Sequence, residues 1–227
     1  MKAAYFEKFG GPEVLQYGDV PDPVAGPGEV VVDVHAATVN AADWKFRAGE
    51  YARHAGSKFP AIPGRDFSGV VSAVGDGADL KVGDAVFGVI AAGKEGTYCE
   101  KVAIAANLVA KKPDGLSHIN AAALALTGLT AVKSVEDTLH LKRGEKILIQ
   151  GGAGGVAGFA IQFAKHLGAT VVTTTSAGNI AYVKSLGADE VIDYNAQNFT
   201  RVVSGCDAVF DTEIGRASCR ERVYLEV

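Results

Sequence analysis

The sequence predicts an α/β protein in which a β-rich N-terminal domain is followed by a partial parallel-sheet domain with helices on both faces. Three observations predict it. Through about Ala110, apolar runs such as "EVVVDVHAATV", "FSGVVSAVG" and "DAVFGVI" alternate with the turn clusters "PDPVAGPG", "GDGADLKVGD" and "AAGKEG", the pattern of short strands. From Ser117 to Leu139 the chain becomes rich in Ala and Leu at helical spacing, with a break expected at Thr127-Gly128. Beyond it, strand-like and helix-like segments alternate strictly: "EKILIQG", "GGVAGFAIQFAKHLG", "ATVVTTTS", "NIAYVKSLG", "DEVIDY", "NAQNFTRVVS" and "CDAVFDT". Such alternation builds a parallel sheet.

Composition narrows the function. The chain has 227 residues, 48% of them hydrophobic, enough for one large core or two smaller ones. Its formal charge of −4 is spread over the chain, so no basic stripe is available to a nucleic acid backbone. A small-molecule ligand is expected instead. No apolar run reaches membrane-spanning length, and Met1 leads into "KAAYFEKFGG", which lacks the apolar core of a signal peptide. The expected location is cytoplasmic, with no membrane partner. Cys99, Cys206 and Cys219 are scattered, as are the five histidines, and no metal-ligand spacing emerges.

The chemistry is concentrated in "KILIQGGAGGVAGFAIQFAKHLGATVVTTTSAGN". Gly152, Gly154 and Ala157 form G-x-G-x-x-A between a strand expected over Ile147 to Gln150 and a helix expected over Val156 to His166. In that context Gly152 permits the turn, Gly154 lets a pyrophosphate approach, and Ala157 allows the helix to pack closely on the strand. The main chain of Gly152, Ala153, Gly154, Gly155 and Val156 then meets the anion at a helix N-terminus. An NAD site usually places Asp or Glu at the end of the second strand, whereas "TTTSAGN", Thr173 to Asn179, has none. NADP is therefore the expected cofactor. Ser176 is a candidate for its 2′-phosphate, although Ser also suits a helix cap. Asn179 and Tyr194 would border the adenosine.

Several motifs in series carry a resemblance. "VNAADWKFRAGEY", "PGRDFSGVVSAVGDGADLKVGDAVFG" and "AAALALTGLTA", followed by the glycine turn and "LGADEVIDY", resemble the zinc-independent quinone oxidoreductases of the medium-chain dehydrogenase/reductase superfamily. The resemblance runs from Met1 to about Thr212. It implies a GroES-like catalytic domain over residues 1–125, lacking its C-terminal return segment, and a partial Rossmann NADP-binding domain over 126–212. It also implies hydride transfer from NADPH to a quinone or related α,β-unsaturated carbonyl without a metal. Where the zinc-bearing branch has its catalytic Cys, this sequence has Asp43; where that branch has Gly-His-Glu, it has Gly64, Arg65 and Asp66. Asn40 and Tyr51 are the catalytic candidates carried over, and Thr127 would lie beside the nicotinamide. Asn40 and Asp43 also suit a capping box, and Tyr51 also suits packing. A tyrosine often found after the Thr-Gly pair is replaced by Val132. The family implies a homodimer formed through strands beyond Thr212. An enoyl reductase, a nonenzymatic NADPH-binding protein and an inactive truncated fragment are the alternative readings.

After "DAVFDT" the chain enters "EIGRASCRERVYLEV", with three Arg and three Glu in fifteen residues. Residues 213–227 are expected to be a non-native tail, because Glu213 to Val223 resembles an in-frame translation of a sequencing adapter. On that reading a six-stranded sheet of order 3-2-1-4-5-6 stops at its fourth strand and leaves an open apolar edge.

Overall fold

The computed structural model describes residues 1–50, 58–91, 94, 96–212 and 222–225. They fall into two compact units, Met1–Leu126 and Thr127–Val227.

In the first unit, β1 (Lys2–Tyr5) and β2 (Gln16–Asp19) form an antiparallel ribbon. Next come β3 (Glu29–Ala37), helix α1 (Ala41–Ala48), β4 (Asp66–Val74), β5 (Ala85–Val89), β6 (Lys101–Ala105) and β7 (Val109–Lys111). The five later strands make an antiparallel sheet of order β6-β3-β4-β5-β7. Alternation explains its core: Val30 and Val32 of β3 meet Phe67, Val71, Val86, Val102 and Ile104 from the neighbouring strands. Each such buried side chain contributes about 1.5–3 kcal/mol. The β3–β4 register shifts between Val34 and Ala36, and such irregularities re-aim the chain that follows.

The second unit starts within α2 (His118–Val132), which continues into a π-helical stretch over Lys133–Thr138. The break expected at Thr127-Gly128 is absent; the irregularity comes at Lys133 instead. Ala131, Val135 and Leu139 are all buried in one core. A four-residue spacing drifts about 40° per step on an α-helix, and the wider π turn realigns it.

Then follow β8 (Lys146–Ile149), α3 (Gly155–Leu167), β9 (Thr170–Thr175), α4 (Ile180–Ser185), β10 (Glu190–Asp193), α5 (Phe199–Val202), β11 (Ala208–Asp211) and β12 (Arg222–Leu225). Their sheet has the order β10-β9-β8-β11-β12, with every pairing parallel. Ile147 and Ile149 pack in the core that holds Ala157, Ala160, Ile161 and Ala164 of α3, while Leu148 joins Val172, Ile192 and Val209 in a second core. The small residues of α3 let the helix lie close to the strands.

The sheet does not end at a bare fourth strand, because Arg222–Leu225 pairs along Ala208–Asp211 in the register Ala208↔Arg222. A strand edge presents unpaired N–H and C=O groups that accept any nearby extended segment, and "RVYL" contains the β-branched and aromatic residues that strands favour. Among the described residues, no helix is long and apolar enough to cross a membrane.

Candidate functional site

The second unit carries a glycine-built pocket at the carboxyl ends of its strands. Gly151 takes the left-handed conformation (φ 67°) that turns the chain out of β8, and its N–H donates to Thr174 Oγ1 at 3.1 Å. The turn expected at Gly152 is made by Gly151, and the constraint at Gly152 is a different one. Gly152 is buried, and a Cβ there would overlap Thr173 Oγ1 and approach Ile161 Cδ1 to 3.1 Å. Its lack of a side chain lets the loop lie against β9. Gly154 is the N-cap of α3, and both Gly154 and Gly155 are exposed. A Cβ on Gly155 would only touch Thr127 Cγ2 at 3.4 Å.

The pocket encloses about 340 Å³. Ala153, Gly154, Gly155 and Val156 line one side; Ser176, Asn179 and Tyr194 line the other. Gly152 and Thr127 are not among its lining residues: the first backs the turn, and the methyl of the second would only meet a side chain added at Gly155. Ala157, expected only to pack the helix on the strand, lines the pocket as well, together with Gly151, Thr175 and Thr212, which the sequence did not single out. The available signal is that Thr175 ends β9 and Thr212 follows β11, at the carboxyl ends of strands, where ligands of parallel sheets sit. Thr212 is held there by its hydroxyl, which donates to the Gln150 carbonyl at 2.8 Å.

Ser176 occupies a helix N-cap position with extended backbone, yet its side chain makes no cap bond. It accepts from Asn179 Nδ2 at 3.3 Å. None of the lining residues is acidic or basic. Anion binding there rests on main-chain amides, the N-terminus of the 13-residue α3 and neutral donors. These groups fit the phosphates of a dinucleotide: an open glycine cradle, and no carboxylate to repel them.

A buried polar cluster lies in the first unit. The ladder pairs Ala37 with Phe67, which sets Thr38 beside Asp66. Thr38 Oγ1 donates to Asp66 Oδ1 at 2.6 Å, and Asn40 Nδ2 lies 3.0 Å from both oxygens. Asp43 Oδ2 accepts from the Asn40 backbone N–H at 2.7 Å and from the Tyr98 hydroxyl at 2.9 Å. Gly64 is left-handed (φ 98°) and has no room for a side chain against Thr97 and Tyr98. Arg65 donates through Nε to the Ile90 carbonyl at 2.9 Å. Burial pushes the Asp66 carboxyl above its ordinary range, the Asp43 charge adds to the rise, and the Thr38 and Asn40 bonds oppose it. Burial, then Asp43, likewise raises the Tyr98 hydroxyl. Tyr51, the second catalytic candidate, lies outside the described residues.

At the positions where the zinc-bearing branch has ligands, Arg65 stays protonated and has no lone pair to give, while Asp43 Oδ2 and Asp66 Oδ1 accept from hydroxyl and amide donors. Among the described residues, no group of three or more His, Cys, Asp or Glu is placed to hold a metal.

Comparison with known proteins decides the family. Residues 26–114 match the profile described as the alcohol dehydrogenase GroES-like domain, and residues 155–221 match that of the zinc-binding dehydrogenases. The quinone oxidoreductase of Coxiella burnetii superposes with a TM-score of 0.87 at 38% identity, over 93% of this chain and 68% of that one. The chain belongs to the quinone oxidoreductase family of the medium-chain dehydrogenase/reductase superfamily. Within this family and its surroundings, 2-methylene-furan-3-one reductase of Solanum lycopersicum is 38% identical over 100% of this chain and 60% of its own length. A mycobacterial protein solved with NADPH has a TM-score of 0.81 at 35% identity, over 93% of this chain and 66% of that one. The chain spans 54–67% of the length of the curated relatives it matches. The fold matches the one expected: a GroES-like β-rich unit, then a Rossmann-like parallel sheet.

Proposed function

We propose that the protein is an NADPH-dependent oxidoreductase that reduces a quinone or related α,β-unsaturated carbonyl by two electrons, without a metal. The observation that carries this reading is the pocket at the α3 N-terminus, with its glycine cradle and no carboxylate at the end of β9. The relatives support the acceptor: one is named as a quinone oxidoreductase and another as a reductase of an enone. The NADPH complex of a similar protein supports the cofactor.

When bound, the reduced nicotinamide supplies the hydride. The residues of the chain supply position and polarity. Gly154 spends its N–H on the Gly151 carbonyl at 2.8 Å, so the main-chain amides of Gly155 and Val156 and the α3 dipole would hold the diphosphate. Ser176 and Asn179 donate to the additional phosphate, which a carboxylate there would repel. In the first unit, Asn40 offers an amide N–H to the acceptor oxygen as negative charge grows on it. One such donor is worth about 2.7–4 kcal/mol at the transition state. The accompanying proton comes from water.

The reading is tested by steady-state NADPH and NADH oxidation against a panel of quinones and enones, before and after exhaustive chelation. Turnover with at least one acceptor, higher kcat/KM for NADPH and no loss on chelation are expected. NADPH binding detected by fluorescence with no acceptor reduced would sink the enzymatic reading. A rate that chelation removes and zinc restores would sink the metal-free one.

A further inference from the structure

Asp66 is fully buried, and its two carboxylate oxygens are used very differently. Oδ1 accepts from both Thr38 and Asn40, whereas Oδ2 is buried without a hydrogen-bond partner among the described residues. Stability alone is a poor account of such a group, since a half-satisfied buried carboxyl costs more than an apolar side chain of the same size. The geometry around Oδ1 supplies a better one.

Thr38 Oγ1 and Asp66 Oδ1 are 2.6 Å apart, and each is 3.0 Å from Asn40 Nδ2. Twice the arcsine of half of 2.6 over 3.0 gives an angle of about 51° at the nitrogen. The two hydrogens of an amide diverge by roughly 120° on an sp² nitrogen, so two near-linear bonds, one to each oxygen, are excluded. The straighter arrangement shares a single N–H between the pair and directs the second N–H elsewhere. The orientation of the amide is fixed as well. Thr38 has one hydroxyl hydrogen, and Asp66 receives it. A flipped Asn40 would set its own oxygen against Asp66 Oδ1 with no proton between them.

We propose that Asp66, acting with Thr38, is a positioning residue that locks the Asn40 amide so that one N–H is spent on the pair and the other is presented to the acceptor oxygen. The inference rests on the role of Asn40 in the proposed function. The backbone is arranged to hold this lock. Asp66 opens β4 paired with Val89, Thr38 follows the Ala37↔Phe67 pair, and Asp43 fastens the Asn40 main chain at 2.7 Å.

A double-mutant cycle on the full chain tests the assignment, with kcat and KM for a quinone and the NADPH Kd read together. Asn40→Ala is expected to lower kcat by roughly 100-fold. Asp66→Ala should lower it by roughly tenfold or more, with the NADPH Kd within about twofold of wild type. Asp66→Asn keeps an acceptor oxygen at the Oδ1 position and should recover activity to within about threefold. In the Asn40→Ala background, adding Asp66→Ala should cost nothing further, because there is no amide left to orient. Thr38→Val, with Thr38→Ser as its rescue, carries the same test should Asp66→Ala fail to fold. Multiplying losses, or an Asp66→Asn variant as impaired as Asp66→Ala, would overturn the positioning role while leaving the NADPH-dependent reading intact. A wild-type chain that reduces no acceptor would instead overturn that reading.

Discussion

At Gly152 an added Cβ would overlap the Thr173 hydroxyl, which cannot swing aside without giving up its 2.6 Å bond to the Ile149 carbonyl. Overpacking of this kind costs about 1–3 kcal/mol. Gly155, three residues on, is constrained from the opposite side. Its Cβ would find only an ordinary contact with Thr127, and alanine is a better helix residue than glycine. Gly152→Ala is therefore expected to lower the thermal midpoint by several degrees, and Gly155→Ala to leave stability within about 0.5 kcal/mol. The NADPH Kd should show the reverse order. A methyl on Gly155 stands in the cradle and should weaken binding about tenfold; equal binding by wild type and Gly155→Ala in a fluorescence titration would remove Gly155 from the cofactor site. The G-x-G-x-x-A spacing made this loop legible in the sequence. The division of labour among its glycines was not legible, because whether a glycine turns the chain or admits a neighbour depends on the strand packed behind it. The Asn40 lock was hidden for the same reason: Thr38 and Asp66 meet only through the β3–β4 register.

Elements carry their own electrostatics, and the start of α2 is an instance. Ser117 caps it by accepting from the Asn120 N–H at 3.2 Å. His118 then reaches Ser68 of β4, with Nδ1 at 2.8 Å from Oγ. Since the Ser68 hydroxyl donates to the Val86 carbonyl at 2.9 Å, the imidazole must donate Nδ1–H. Its ring lies 4.6 Å from that of His35 on β3. Burial, followed by His35 and Lys112, holds the His118 pKa below its ordinary value. The unfolded chain then binds a proton more readily than the folded one, so stability is retained above about pH 6.5 and declines as the pH falls below it. Asp66, with its pKa raised, acts in the opposite sense. The difference between wild type and His118→Gln isolates the imidazole: thermal midpoints from pH 8 to 5 should fall more steeply for wild type. Parallel curves would show that His118 does not contribute. The helical character of this segment was readable from its apolar spacing, but the site of its irregularity was not. A glycine inside a helix is tolerated at about 1 kcal/mol, and the burial of Ala131, Val135 and Leu139 outweighs it.

For the molecule as a whole, the change of period after residue 145 and the fingerprint between β8 and α3 announced a doubly wound sheet, and the strand order around β8 follows that plan. The fifth strand could not be read in the same way. Its segment departs in composition from the rest of the chain, and it becomes a strand because β11 offers an edge rather than because its own pattern demands one. The consequence is measurable. All four residues of Ala208–Asp211 are buried, with β8 on one side and β12 on the other. Removing residues 213–227 would return one row of main-chain N–H and C=O groups to solvent beside Val209 and Phe210. A flat apolar edge of that kind recruits a second copy or unravels. The shortened chain is therefore expected to melt at a lower temperature and to scatter light increasingly with concentration, by comparison with the full chain in the same buffer. If it stays monodisperse and melts unchanged, the pairing of β12 with β11 contributes nothing to the sheet, and the open edge expected from the sequence is the better description of this unit.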